Sequence, residues 1–340
     1  MLNILVVINE SWGEVDWLLP VLDRLYGEKR AKIWTLFLNN AIFEDGTDYL
    51  DLRNGLSRVS QRVLKPAMFK AQNRLANLLP VNRSYLTQVR RSITGPVDVV
   101  LHEYGGENFS EIYEVFPEAV PVIFPHGTFI YGWVMDNLKR QHEKFSSYDL
   151  LPRTSVLLVG TELDQEYFSD ISGLENIHVV GHPKLDEQWI RKRSRESNRE
   201  QEGAWIGSSN ANILFLQYPA RRFSSIEKFS KLTQTVLEQG QRLSMPVNIR
   251  RHPRQDIEEI QSLLNSDDRI SRVNIASESI LACAMKSLFS VGFPTSGCMD
   301  AIAAGIPAIE FLDFEGETWS TFARHPGGKN TSVFRKLELV

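Results

Sequence analysis

Two stretches in the second half of the chain carry residues suited to holding a phosphate. The first is Asn248-Ile249-Arg250-Arg251-His252-Pro253, which closes an apolar run. Arg250 and Arg251 can clamp a phosphate in bidentate fashion, and His252 can donate a hydrogen bond to it or protonate a leaving group. The second is the turn Gly292-Phe293-Pro294-Thr295-Ser296-Gly297, followed by helical spacing through Met299, Ile302 and Ala303 and stopped by Gly305 and Pro307. Thr295 or Ser296 can cap that helix and leave its first N–H groups to an anion. The small Gly297 admits a pyrophosphate close to the backbone, and Asp300 can accept hydrogen bonds from a ribose. Gln217, closing the run Ile213–Leu216, and Pro253 complete this donor-binding set. The plain alternative is a capped helix with Asp300 favouring its N-terminus. His182-Pro183 shows the His-Pro dipeptide in a plainer setting.

The first half supplies groups that can take a proton. Glu103 follows the run Val97–Leu101, on a loop with Gly105 and Gly106. Glu14 and Asp16 follow the first apolar run and are its rivals, with Glu10 more distant. Each is otherwise a solvated surface charge. His126, between the run Val120–Phe124 and Gly127, can be a base, an acceptor ligand or a structural loop histidine. From Arg53 to Arg91 there are nine basic residues and no acidic one. Apolar Val59, Val63, Leu64, Met68, Phe69, Leu75 and Leu78 suggest helices with one cationic face. That face is either solvated or a patch for an anionic acceptor or a membrane surface.

The elements that must position these groups are short β-branched runs alternating with helical patterns. Strands are expected at Leu2–Ile8, Lys32–Leu38, Val97–Leu101, Val120–Phe124, Val156–Val159 and His178–Val180, with a helix over Trp17–Tyr26. Residues 188–210 are polar and charge-dense and read as a linker, partly helical. Alternation then restarts: strands at Ile213–Leu216, Val247–Arg250, Val273–Ala276, Ser287–Val291 and Ala308–Phe311 are interleaved with helices at Ser225–Gln239, Ile257–Leu264, Glu278–Met285 and Gly297–Ala304. Such alternation implies α/β architecture with parallel sheets buried on both faces. Two doubly wound, Rossmann-like domains facing a cleft are expected, spanning 1–187 and 211–340, with ligands outside the carboxyl ends of the strands.

Composition narrows the class. At 340 residues, 42% hydrophobic and 24% charged, the chain is ordinary for a globular protein of two domains. A net charge of −4 argues against a general nucleic-acid binder, which needs a broad cationic face. The N-terminal apolar run is too short and lacks the basic flank of a signal peptide, and nothing approaches the length of a membrane span. Cys283 and Cys298 form no metal-ligand pattern and no disulfide is expected. A cytosolic location follows from this reading, and no Asp-x-Asp cluster is placed for a divalent ion, so neither metal nor cofactor is expected.

With these residues in view, the chain resembles the GT-B glycosyltransferases. Pro125-His126-Gly127-Thr128 is similar to the His-Gly-Thr motif of the CDP-glycerol glycerophosphotransferases. Arg251-His252-Pro253 looks like the His-Pro motif of bacterial sialyltransferases and Kdo transferases, whose histidine contacts the cytidine-nucleotide phosphate. Thr295-Ser296, Asp300-Ala301 and Gly305-Ile306-Pro307 resemble the GT-B pattern that holds donor phosphate and ribose. Val179 to Asp186 resembles the end of the first domain, and the likeness spans Val97 to Glu315. Two departures stand out. The acidic pair followed by glycine in the sialyltransferases has its nearest counterpart in His102-Glu103-Tyr104-Gly105-Gly106-Glu107. The glycerophosphotransferase Pro-Leu-Lys is replaced by Phe129-Ile130-Tyr131, which tilts the reading toward sugar transfer.

The resemblance implies an inverting, metal-independent glycosyltransferase. Its donor would be a nucleotide-activated sugar, CMP-linked as in CMP-Kdo or CMP-sialic acid. Its acceptor would be a surface polysaccharide or lipid-linked glycan, with the basic stretch as the point of peripheral contact with the inner membrane. Three alternatives share the fold. They are a CDP-glycerol-type glycerophosphotransferase, a UDP-sugar 2-epimerase, and a non-catalytic nucleotide-binding subunit of a polysaccharide assembly complex.

Overall fold

A computed structural model describes residues 1–69, 83–103, 107–125, 151–200, 212–217, 226–252, 273–292, 295 and 297–310. The chain divides into two units, Met1–Lys184 and Leu185–Val340.

The first unit is built on seven parallel strands: β1 (Leu2–Ile8), β2 (Ala31–Phe37), β3 (Ser60–Leu64), β4 (Val99–His102), β5 (Val120–Ile123), β6 (Val156–Val159) and β7 (Asn176–Val179). They lie in the order β3-β2-β1-β4-β5-β6-β7. Uninterrupted apolar sequence puts β1 at the centre, where both faces are covered: Ile4 through Ile8 are all buried. One face packs against α4 (Arg83–Ser92), α5 (Glu107–Val115) and α6 (Glu162–Ile171), through Leu86, Val89, Phe109, Ile112 and Phe168. In the same unit α1 (Trp12–Gly27) packs on α3 (Leu50–Val59), which follows the short α2 (Asn40–Glu44). Gly55 permits their approach, since a Cβ there would meet Leu19 Cδ2 at 2.7 Å.

The second unit opens with α7 (Glu187–Glu200) and contains a five-stranded parallel sheet in the order β10-β9-β8-β11-β12. Its strands are β8 (Asn212–Leu216), β9 (Val247–Arg250), β10 (Val273–Ile275), β11 (Ser287–Gly292) and β12 (Ala308–Glu310). Val236 and Leu237 of α8 (Ile226–Arg242) cover one face with Ile213, Phe215 and Ile249. On the other face, α9 (Ile280–Ala284) and α10 (Gly297–Ala303) bring Cys283, Ala284, Cys298 and Ala301 against Leu214 and Leu216. Both cysteines are buried. Among the described residues no helix is long and apolar enough to cross a membrane.

One element differs from the sequence expectation. Val63 and Leu64 belong to an edge strand, not to a cationic helix, because β3 extends the sheet by pairing with β2. In the segment 188–210, read as a partly helical linker, the helical part is α7, which begins at Glu187 and runs to Glu200. Its Glu, Gln, Arg and Lys are good helix formers. Asp186 caps it by accepting from the N–H groups of Gln188 (2.9 Å) and Trp189 (3.3 Å), and Arg191 pairs with Glu187 one turn away (2.5 Å). The expected helix at 257–264 lies outside the described residues.

Candidate active site

In the first sheet the strand order turns at β1, which β2 flanks on one side and β4 on the other. Chains leaving the carboxyl ends of β1 and β4 therefore part in opposite directions, and a crevice opens between them. Glu14 and Glu103 stand at that point. Ser11 caps α1 in a capping box: its hydroxyl accepts from Gly13 N–H at 3.2 Å while Glu14, three positions on, reaches back. The Glu14 carboxylate accepts from the backbone N–H groups of Asn9 (3.1 Å), Glu10 (2.5 Å) and Ser11 (2.8 Å). Glu103 follows the last residue of β4 directly. Glu14 is 2% and Glu103 3% exposed, so both carboxyls sit out of water.

That arrangement sets the chemistry of Glu14. Burial, and then the charge of Glu103, push its carboxyl up from 4.5 to about 7, against the three amides, which favour the ionised form. A carboxyl poised near neutrality at a switch-point crevice is suited to general acid–base work.

The other first-unit candidates are placed differently. Asp16 forms an ion pair with Lys184 at 3.3 Å, both side chains largely shielded. Glu10 contributes its backbone N–H to Glu14. His126 lies outside the described residues. His102, one residue before Glu103, is fully buried: its Nε2 bonds the Tyr113 hydroxyl and its ring stacks on Phe109 with centroids 4.0 Å apart. His182 packs edge-on against Trp17 at 5.4 Å, and Trp17 in turn meets Phe124 at 5.6 Å. The sequence reading missed the Ser11 cap, although Ser11-Trp12-Gly13-Glu14 carries the capping-box spacing.

Gly160, at the carboxyl end of β6, is required by His182. A Cβ there would stand 2.1 Å from the imidazole Cε1. Gly160→Ala is expected to displace the ring from Trp17 and destabilise the protein by about 1–3 kcal/mol. Urea denaturation checks this, and adding His182→Ala recovers part of the loss because the two sites are coupled.

The second sheet turns at β8, between β9 and β11. Gln217 follows β8, is buried, and donates its N–H to Arg250 O at 3.0 Å. Gly292 lets β11 close on β8, since a Cβ there would meet Leu216 Cβ at 2.8 Å, and Gly297 lets α10 close on α9, since a Cβ there would meet Ile280 Cδ1 at 2.7 Å. Thr295 is the cap, its Oγ1 accepting from Gly297 N–H at 3.4 Å and its carbonyl from Cys298 N–H at 3.1 Å. Asp300 is buried on α10. Arg250 is buried too, and its Nη1 donates to the Ala276 carbonyl at 3.1 Å, so this guanidinium braces the chain that leaves β10. Arg251 and His252 are half-buried beyond the end of β9. Pro253 and Ser296 lie outside the described residues. Among the described residues no three His, Cys, Asp or Glu side chains gather as a metal ion would require.

Several described cations of the basic stretch have partners. Arg58 pairs with Asp23 (2.6 Å), Lys65 with Glu44 (3.1 Å) and Arg83 with Glu114 (3.2 Å). Arg53 and Arg90 lie over the rings of Phe43 and Phe116. Arg62 and Arg91 are exposed. Among the described residues of the stretch, acidic partners from outside it thus pair with three of seven cations.

No family model matches the sequence, and no curated protein matches it. Solved structures do. UDP-GlcNAc 2-epimerase of Methanocaldococcus jannaschii, in complex with UDP-GlcNAc and UDP, is 12% identical with a TM-score of 0.62, over 99% of this chain and 92% of that one. UDP-GlcNAc 2-epimerase of Neisseria meningitidis, bound to UDP-GlcNAc, is 15% identical with a TM-score of 0.58, over 97% and 85%. The S. aureus MnaA–UDP co-structure is 14% identical with a TM-score of 0.56, over 99% and 87%. The likeness establishes the fold: two doubly wound Rossmann-like units in tandem, the GT-B fold.

Proposed function

We propose that the chain acts on a nucleotide-activated sugar, with proton transfer at the Glu14–Glu103 pair. The observation that carries this reading is the meeting of two buried carboxylates at the switch point of the first sheet. The preferred reaction is inverting transfer to a hydroxyl acceptor, a polysaccharide or lipid-linked glycan. A carboxylate takes the hydroxyl proton and the oxygen bonds the anomeric carbon. The bond from that carbon to the phosphate oxygen breaks, its electron pair leaving with the nucleotide. Arg251 and His252 are the groups suited to the departing charge. A cytidine nucleotide is the donor that the Arg251-His252-Pro253 resemblance favours.

A second reading is 2-epimerisation of a UDP-sugar, favoured by the fold likeness to structures named as such epimerases. The same carboxyls would then remove and return a proton on the sugar. Incubation with the nucleotide sugar and no acceptor separates the two, since an epimerase needs none, and a thermal-shift series with CMP, CDP, UDP, GDP and ADP identifies the nucleotide. Ligand at a hundred times its dissociation constant is expected to stabilise by about 2.7 kcal/mol. Stabilisation by cytidine nucleotides supports the cytidine donor, and stabilisation by UDP alone overturns it. Silence from all five would defeat both.

A further inference from the structure

The chain that leaves β7 does not stay at that edge of the sheet. Gly181 turns it with a φ of 81°, a conformation that favours glycine, and His182, Pro183 and Lys184 carry it back to α1, which follows the central strand β1. His182 lies against Gly160 at the carboxyl end of β6 and edge-on to Trp17, which also meets Phe124, the residue after β5. Lys184 donates to Asp16 at 3.3 Å, 168 positions back in the chain, with 12% and 19% of the two side chains exposed. At Leu185 the second unit begins. Residues 181–184 are thus a strap along the carboxyl edge of the first sheet, stiffened by Pro183.

The strap grips α1 beside Glu14. Asp16 and Trp17 stand two and three residues after it, and Trp17 shares its face of the helix. The Trp17 Nε1–H is buried and has no acceptor among the described residues, so ring packing, not a hydrogen bond, orients that side chain. The amides of residues 9–11 hold the Glu14 carboxylate to its own loop, and the strap ties the helix behind that loop to the far edge of the sheet. We propose that Lys184 is a positioning residue: through Asp16 it fixes the first turns of α1, and with them Glu14, at the switch-point crevice. The proposal deepens the nucleotide-sugar reading above and rests on it for its effect on turnover. A pair this shielded is little weakened by salt, and removing one partner leaves the other charge uncompensated. Proton transfer is sensitive to the shift that follows, since misplacing a reacting group by about 1 Å costs about 10²-fold.

The test has two arms. The first is a cycle of Lys184→Met, Asp16→Asn and the double variant, with CMP-sialic acid and UDP-GlcNAc as the nucleotide sugars. Each single change is expected to lower kcat by about ten- to a hundredfold with KM little moved, and the double variant to lose no more than either. Lys184→Arg, which can keep the pair, is expected to retain most of the turnover. Effects that add would overturn the proposal. So would a raised KM with kcat unmoved, which makes Lys184 a ligand to the substrate, or a loss in Asp16→Asn far beyond that in Lys184→Met, which makes Asp16 the group that meets the reactant. The second arm needs no turnover. Amide hydrogen exchange at Asn9, Glu10 and Ser11, the donors to Glu14, is expected to quicken about tenfold or more in Lys184→Met, with α8 of the second unit unchanged. Lys184→Arg is expected to restore it. Unaltered exchange at these amides, or a uniform rise throughout the first unit, refutes the positioning role. Local quickening in a protein that turns over neither nucleotide sugar defeats the functional reading and leaves the strap's hold on the loop standing.

Discussion

Glu103→Gln is expected to reduce turnover by about 10²- to 10⁴-fold, the range associated with a positioned general base. The amide matches the carboxylate in shape and cannot accept a proton at neutral pH, so the effect falls on kcat with little change in donor affinity. The same substitution is expected to raise the melting temperature at pH 8. There both carboxyls of the parent are pressed toward ionisation in a place nearly closed to water, and the substitution removes one side of their repulsion. Loss of activity with a gain in stability is what a strained functional site gives; a structural residue gives the reverse. Steady-state kinetics on the donor class identified by thermal shift, with calorimetry at pH 8, checks both. Turnover within about tenfold of the parent would mean that another group takes the proton.

The second large effect is on stability against pH. The Glu14 carboxyl stands at about 7 in the folded protein against an ordinary 4.5. The folded state therefore binds this proton more tightly than the unfolded chain does. Where the folded chain holds more protons, stability falls as pH rises. The contribution of Glu14 is fully present below about pH 4.5, declines between 4.5 and 7, and is gone above. At about 1.4 kcal/mol per pH unit the window amounts to about 3 kcal/mol. Other groups add their own slopes, so the quantity to measure is the difference between the parent and Glu14→Gln. Urea midpoints from pH 4 to 9 should give a difference that falls across this window and is flat beyond it. A difference that rises with pH would show that the three amides outweigh burial and the Glu103 charge.

Much of this fold is written in local sequence. Leu2–Ile8, Val156–Val159 and Val247–Arg250 emerge at the expected residues, the first two because a strand buried on both faces is apolar nearly throughout, as Ile4–Ile8 and Val156–Val159 are. Edge strand β3 does not announce itself: Ser60, Gln61 and Arg62 face partly to solvent, and only its place beside β2 makes it a strand. The helix at 187–200 was legible in part, its bounds blurred by charge density, with Trp189 buried. Glu103 and Glu14 were both legible as acidic groups beyond strand ends. Their meeting was not, since it depends on β4 crossing over to lie beside β1, a long-range pairing with no local signature. Nor was the environment of Arg250, whose side chain serves the carbonyl of Ala276 on a segment that the sequence places well downstream.

The position of β1 has a kinetic corollary. One flank can zip onto β2 soon after both are made, but the other must wait for β4, just before which Asp98 accepts from the Asn3 N–H, 95 positions apart in the chain. Long-range parallel closure of this kind is slow. The repulsion between the two glutamates is met only in that closing step, so alkaline refolding should stall there, and acid should hasten it.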